Sequence, residues 1–116
     1  MINIAIIDRN ETHRASLRTL LGQIDGFKVV IDTDNLIHLK NSFTEPPDVI
    51  LIDSSEGGEK GGFYFSNLQG IMAGVKIIFL AMFKEELDLD YGNAGVVLKS
   101  SDKKEFEMKI KRLVGC

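Results

Sequence analysis

Apolar positions along this chain switch repeatedly between two spacings. Residues 2–7, isoleucine-rich and apolar except for Asn3, have the pattern of a strand buried on both faces. Asn10 follows as a helix cap, and Leu17, Leu20, Leu21 and Ile24 then recur at i, i+3, i+4 and i+7, one face of a helix that Asp25-Gly26 ends. Residues 27–31 read as a second strand. Leu36, Leu39 and Phe43 predict a weaker helix over 35–43, closed by Glu45-Pro46-Pro47, because proline cannot continue a helix. A third strand is expected over 48–53, and a glycine-rich loop, Ser54 to Gly62, comes after it. A short helix over 63–72 precedes a fourth strand at 76–82 and a fifth at 95–99. Asp102, with Glu105 three residues on, is a variant capping box for a last helix whose inner face is Phe106, Ile110 and Leu113.

Five strands alternating with about five helices imply an α/β fold: a doubly wound parallel sheet with right-handed crossovers and helices on both faces. Such a sheet gathers the carboxyl ends of its strands along one edge, where ligands bind. Three of the predicted strands end there on a charge: the first on Asp8, the third on Asp53, the fifth on Lys99. Two carboxylates and an ammonium in one crevice suit phosphoryl transfer, in which one carboxylate attacks and a cation holds the transferred oxygens.

Composition narrows the picture further. With 116 residues the chain is expected to form one domain, 1–116, around a single core. Its 44% hydrophobic and 27% charged content is that of a soluble globular protein, and a net charge of −3 gives no electrostatic footprint for nucleic acid or anionic membrane. No apolar run approaches the ~20 residues of a membrane span. The start enters a strand directly, so no leader is expected, and Cys116 stands alone, which excludes an internal disulfide and suits a reducing, cytoplasmic setting. His13 and His38 have no ligand partners at metal-binding spacing and are read as surface residues. The Gly57–Gly62 cluster lacks the Gly-Lys-Ser/Thr ending of a phosphate-binding loop. A flavodoxin-like hydrolase or flavin carrier is the rival from the enzyme class. It is disfavoured because no Ser/Thr-rich phosphate loop follows the first strand and no Ser-His or Cys-His pair is evident.

Ile-Ile-Asp at 6–8, Arg-x-x-Leu-x-x-Leu-Leu at 14–21, Pro-Asp-Val-Ile-Leu-Ile-Asp at 47–53, Lys-Ile-Ile-Phe-Leu at 76–80 and Gly-x-x-Gly-x-x-x-Lys at 92–99 occur in that order. Together they resemble the receiver domain of two-component response regulators over essentially the whole chain. The resemblance implies a flavodoxin-like fold with strand order 2-1-3-4-5, and a signalling module rather than an enzyme. It implies Asp53 as phosphoacceptor and Lys99 as the phosphate-contacting lysine. It also implies Mg²⁺ as cofactor, held by Asp8, Asp53 and the backbone carbonyl of Ser55. The implied partners are a histidine kinase or phosphotransfer protein, with a second copy of the chain as a further candidate, and no nucleic acid or membrane for this domain.

Four positions depart from the family's pattern. Arg9 stands where a second acid usually ligates Mg²⁺, Ala81 where a Ser or Thr ends the fourth strand, Val96 where an aromatic switch residue sits, and Gly57 where a proline follows the acceptor. Asp8 and Asp53 against Arg9 and Lys99 make a formally neutral site, whereas three acids and a lysine make −2, so Arg9 is expected to weaken Mg²⁺. Arg9 is also placed within reach of Asp53 as an ion-pair partner. The segment between Ala81 and Gly92 has few inward apolar positions and predicts a stunted helix. These losses support an alternative reading, a degenerate receiver that binds a partner protein without phosphorylation.

Overall fold

The computed structural model describes residues 1–34, 47–54, 74–85 and 95–115. Five strands form one parallel sheet: β1 (Ile2–Ile7), β2 (Phe27–Thr33), β3 (Val49–Asp53), β4 (Lys76–Ala81) and β5 (Gly95–Leu98). Their order is β2-β1-β3-β4-β5, the arrangement expected of the fold class. The two described helices are α1 (Glu11–Gly22) and α2 (Lys103–Val114). The helices predicted over 35–43 and 63–72 lie outside the described residues, as do residues 86–91 of the segment between Ala81 and Gly92 and the glycine-rich loop from Ser55 onward.

The sheet is central because its middle strands carry apolar side chains in both directions. Ile4, Ile6, Val49, Leu51, Ile78, Leu80 and Val97 pack on one face with Leu17 and Leu21 of α1 and Phe106 and Ile110 of α2. Ala5, Ile7, Ile50, Ile52, Ile77 and Phe79 fill the opposite face and are equally buried. A period of two leaves no polar position in such strands, which is why they read as continuous runs. Each fully buried Ile or Leu stabilises the fold by roughly 1.5–3 kcal/mol of transfer free energy.

Both helix starts follow their caps. The Asn10 side chain accepts the His13 backbone N–H at 2.9 Å, and Asp102 accepts that of Glu105 at 2.9 Å. Helix α1 ends at Gly22, earlier than its apolar spacing predicts. The chain tightens there, with Gln23 N–H donating to Leu20 O and Ile24 N–H to Leu21 O, so Ile24 is buried without being helical. Gly26, at φ +88, then turns the backbone into β2.

Strand β2 runs two residues beyond its predicted end. Its register against β1 slips between Ile4 and Ala5, which face Val29 and Ile31, so Val30 is an extra residue in a bulge. Past the bulge Asp32 and Thr33 stay paired with Ile6 and Ile7. That extension matters for the site, because Thr33 O accepts the Asp8 N–H at 3.0 Å and Asp32 receives Arg14 and Arg18 of α1. The end of β1 and the start of α1 are thereby tied to the edge strand.

Candidate functional site at the carboxyl edge of the sheet

Pairing fixes which face each strand end uses. Asp53 pairs with Leu80 and Val97 pairs with the same leucine, so Asp53 and Lys99 continue the face that packs α1 and α2. Asp8 follows Ile4 and Ile6 in the same alternation. The three charged residues therefore emerge side by side on one rim of the sheet.

They meet there directly. Lys99 Nζ donates to Asp8 Oδ2 at 3.0 Å and also to Asp53 Oδ2. Asp8 is completely buried, whereas the Asp53 side chain keeps 15% of its surface exposed. A buried carboxylate costs several kcal/mol unless it is paired and hydrogen-bonded, and Asp8 is both. Its Oδ1 accepts the Asn10 N–H at 2.9 Å, and its Oδ2 meets His13 Nδ1 at 2.5 Å as well as Lys99. Arg14 Nη1 donates to the Asp8 carbonyl at 2.7 Å. Burial alone would lower the pKa of Lys99, but hydrogen bonds to Asp53 and Asp8, together with their charges, outweigh it and raise the value. Lys99 is thus a firmly protonated bridge between the two acids.

No protein-family model matches the chain, and no curated protein does. Solved structures do match. The signal receiver domain of the response regulator NarL from Mycobacterium tuberculosis superposes with a TM-score of 0.79 at 18% identity, over 98% of this chain and 96% of that one. A response regulator from Thermotoga maritima gives 0.80 at 16% identity, over 100% and 99%. The fold is that of response-regulator receiver domains. The RcsB response regulator of Salmonella typhimurium gives 0.75 at 24% identity, and the 97% of this chain that aligns spans only 59% of that longer protein.

In this receiver fold the structure assembles Asp8, Asp53 and Lys99 from three strands. Ser55, whose carbonyl the sequence reading assigned to metal, lies outside the described residues. Arg9 is exposed, and Lys99 bridges the two acids. Ala81 ends β4 fully buried, and its carbonyl accepts the Lys99 N–H at 2.8 Å. No described helix is long and apolar enough to cross a membrane.

His13 is the residue that sequence reasoning placed wrongly. It is read there as a surface histidine, but its ring packs against Asp8 and its side chain is only 21% exposed. The signal was present. With Asn10 as cap, His13 is the third helical residue, the position whose side chain folds back over the helix start. Here it reaches past the cap to the end of β1. His38 lies outside the described residues.

The oxygen donors suit Mg²⁺, which takes hard ligands and commonly uses one or two carboxylates while keeping several waters. Asp53 and Asp8 would supply those carboxylates. Among the described residues, no group of three or more His, Cys, Asp or Glu side chains is arranged to hold a metal ion.

Proposed function

We propose that this chain is a receiver module that takes a phosphoryl group onto Asp53 from a phosphohistidine of a kinase or phosphotransfer protein in the cytoplasm. The supporting observation is the Asp53 carboxylate: it ends the central strand, is partly open to solvent, and is held by Lys99. An open carboxylate oxygen is a competent nucleophile, and a fixed ammonium beside it meets the charge that gathers on the transferring group. The Oδ–P bond forms as the P–N bond to the donor imidazole breaks, and the electron pair leaves with the imidazole. A bound Mg²⁺ would add charge neutralisation at the phosphoryl oxygens. Lys99 keeps its proton throughout and moves from the Asp53 carboxylate onto the new phosphoryl oxygens. Asp8, immobilised by three donors, fixes the other side of that lysine.

A second reading, an interaction module that works without phosphorylation, is favoured by one observation. The chain's own groups already occupy Asp8 on both oxygens. Intact-mass spectrometry after incubation with acetyl phosphate and Mg²⁺ separates the two. The first reading expects the mass of one phosphoryl group on the wild type and none on Asp53→Asn. A folded wild type that gains no mass leaves the second.

A further inference from the structure

Asp8, Asn10 and His13 form a closed loop of contacts at the start of α1. Asn10 donates its backbone N–H to Asp8 Oδ1 at 2.9 Å, while its side chain accepts the His13 backbone N–H at 2.9 Å. That cap sets the first turn of the helix so that the His13 ring returns to Asp8 Oδ2, 2.5 Å away. A carboxylate oxygen has two in-plane lone pairs. At Oδ2 one meets His13 and the other meets Lys99, which Asp53 holds from its far side. Oδ1 accepts the backbone N–H of Asn10, the residue whose side chain caps α1.

A divalent cation that ligates Asp8 through Oδ2 therefore has to displace one of two donors. Removing Lys99 breaks contacts to two carboxylates at once. Removing His13 breaks one side-chain contact and leaves the cap intact. The ring is the more easily displaced group, and it holds an oxygen that a directly bound cation would use.

We propose that His13 is a positioning residue that keeps Mg²⁺ from direct coordination by Asp8, its imidazole holding the carboxylate oxygen that the cation would use. The inference rests on the reading of Asp8 and Asp53 as the pocket for the phosphoryl group and its metal. It assigns the weakness of that pocket for cations to a residue on α1, in addition to the missing acid at Arg9. A group that has to be displaced lowers metal affinity, tenfold for each ~1.4 kcal/mol that its displacement costs.

Calorimetric titration of Mg²⁺ into the whole chain tests the proposal with wild type, His13→Ala and His13→Gln. His13→Ala is expected to tighten Mg²⁺ by about tenfold. His13→Gln, whose amide can still donate to Asp8, should stay close to the wild type, a difference that mere loss of helix stability does not produce. Equal affinity in wild type and His13→Ala, or no binding in either, overturns the proposal. Should His13→Ala fail to fold, nitrogen-15 spectra of the wild-type imidazole give the answer. Its ring signals are expected to shift in step with Mg²⁺ binding, and ring signals unchanged at saturation overturn the proposal. The acetyl phosphate experiment stays independent. An adduct on Asp53 with Mg²⁺ affinity unmoved by His13→Ala sinks this inference alone. A tenfold gain without any adduct supports it and sinks the phosphoacceptor reading.

Discussion

Lys99 Nζ lies 3.0 Å from Asp8 Oδ2 although the two residues are 91 positions apart. They directly follow β5 and β1, which have β4 and β3 between them. Neighbouring strands are about 4.8 Å apart, so an ammonium on β5 must cross roughly 10 Å to reach even β3. A lysine stem spans much of that gap and keeps its charge compact at the tip, which suits it to serve two carboxylates together. The pair ties the far side of the sheet to the end of the first strand.

Removing only the charge should expose what this bridge contributes. In Lys99→Met the stem remains and Asp8, wholly buried, loses its cation while keeping Asn10 and His13. A loss of about 3 kcal/mol is expected, the lower end for breaking a buried ion pair, because two donors survive. Urea unfolding measures it. A loss under about 1 kcal/mol would class the pair with exposed salt bridges and contradict the burial of Asp8.

The same bridge sets a pH dependence. Lys99 has a folded pKa above its unfolded value, since the bonds and charges of Asp53 and Asp8 outweigh burial. Its stabilisation is therefore fully present below the ordinary lysine pKa of about 10.4 and is lost as pH rises through the raised folded value. Wild type should lose stability faster than Lys99→Met across that alkaline range, at fixed ionic strength. Parallel curves for the two proteins would show that Lys99 does not supply the dependence.

Helix caps offer a comparison within one molecule. Asn10→Ala and Asp102→Ala each remove a side chain that accepts the N–H three residues on, at a cost of about 1 kcal/mol. Thermal unfolding should rank them together in stability. Only Asn10→Ala should also disturb the His13 ring in NMR spectra, because that cap places it. An undisturbed ring would mean that packing, not capping, holds His13 against Asp8.

Arg9→Asp probes the charge of the rim. The change leaves three acids against Lys99, a formal −2 in place of zero. Mg²⁺ affinity is expected to rise by about tenfold, equivalent to ~1.4 kcal/mol. The position is exposed, so the fold should tolerate it. Unchanged affinity in the Mg²⁺ titration would show that Arg9 points to solvent, and the case for a degenerate site would lose its main support.

The alternation of apolar runs with helical spacing was enough to predict five strands, their parallel arrangement and the rim where their charged ends gather. Both apolar faces of β1, β3 and β4 follow from composition alone, because strands with no polar face must be covered twice. Asn10 and Asp102 were legible as caps because capping is local chemistry spanning three residues. By that same local rule, Asp8, Asp53 and Lys99 could be named as strand ends before any contact was known.

Tertiary structure decided what those ends touch. The early finish of α1 at Gly22 and the bulge at Val30 depend on how a helix and an edge strand fit against β1, which no window of sequence records. The reach of Lys99 to both acids depends on strand order and on the length of its side chain across the sheet. His13 shows the limit most plainly. Its spacing from Asp8 is that of an ordinary helix residue. Only the cap, the angle at which α1 leaves β1 and the burial of Asp8 turn it toward the carboxylate. A charge withdrawn from water takes whichever donors the packed fold brings to it, and sequence order does not say which those are.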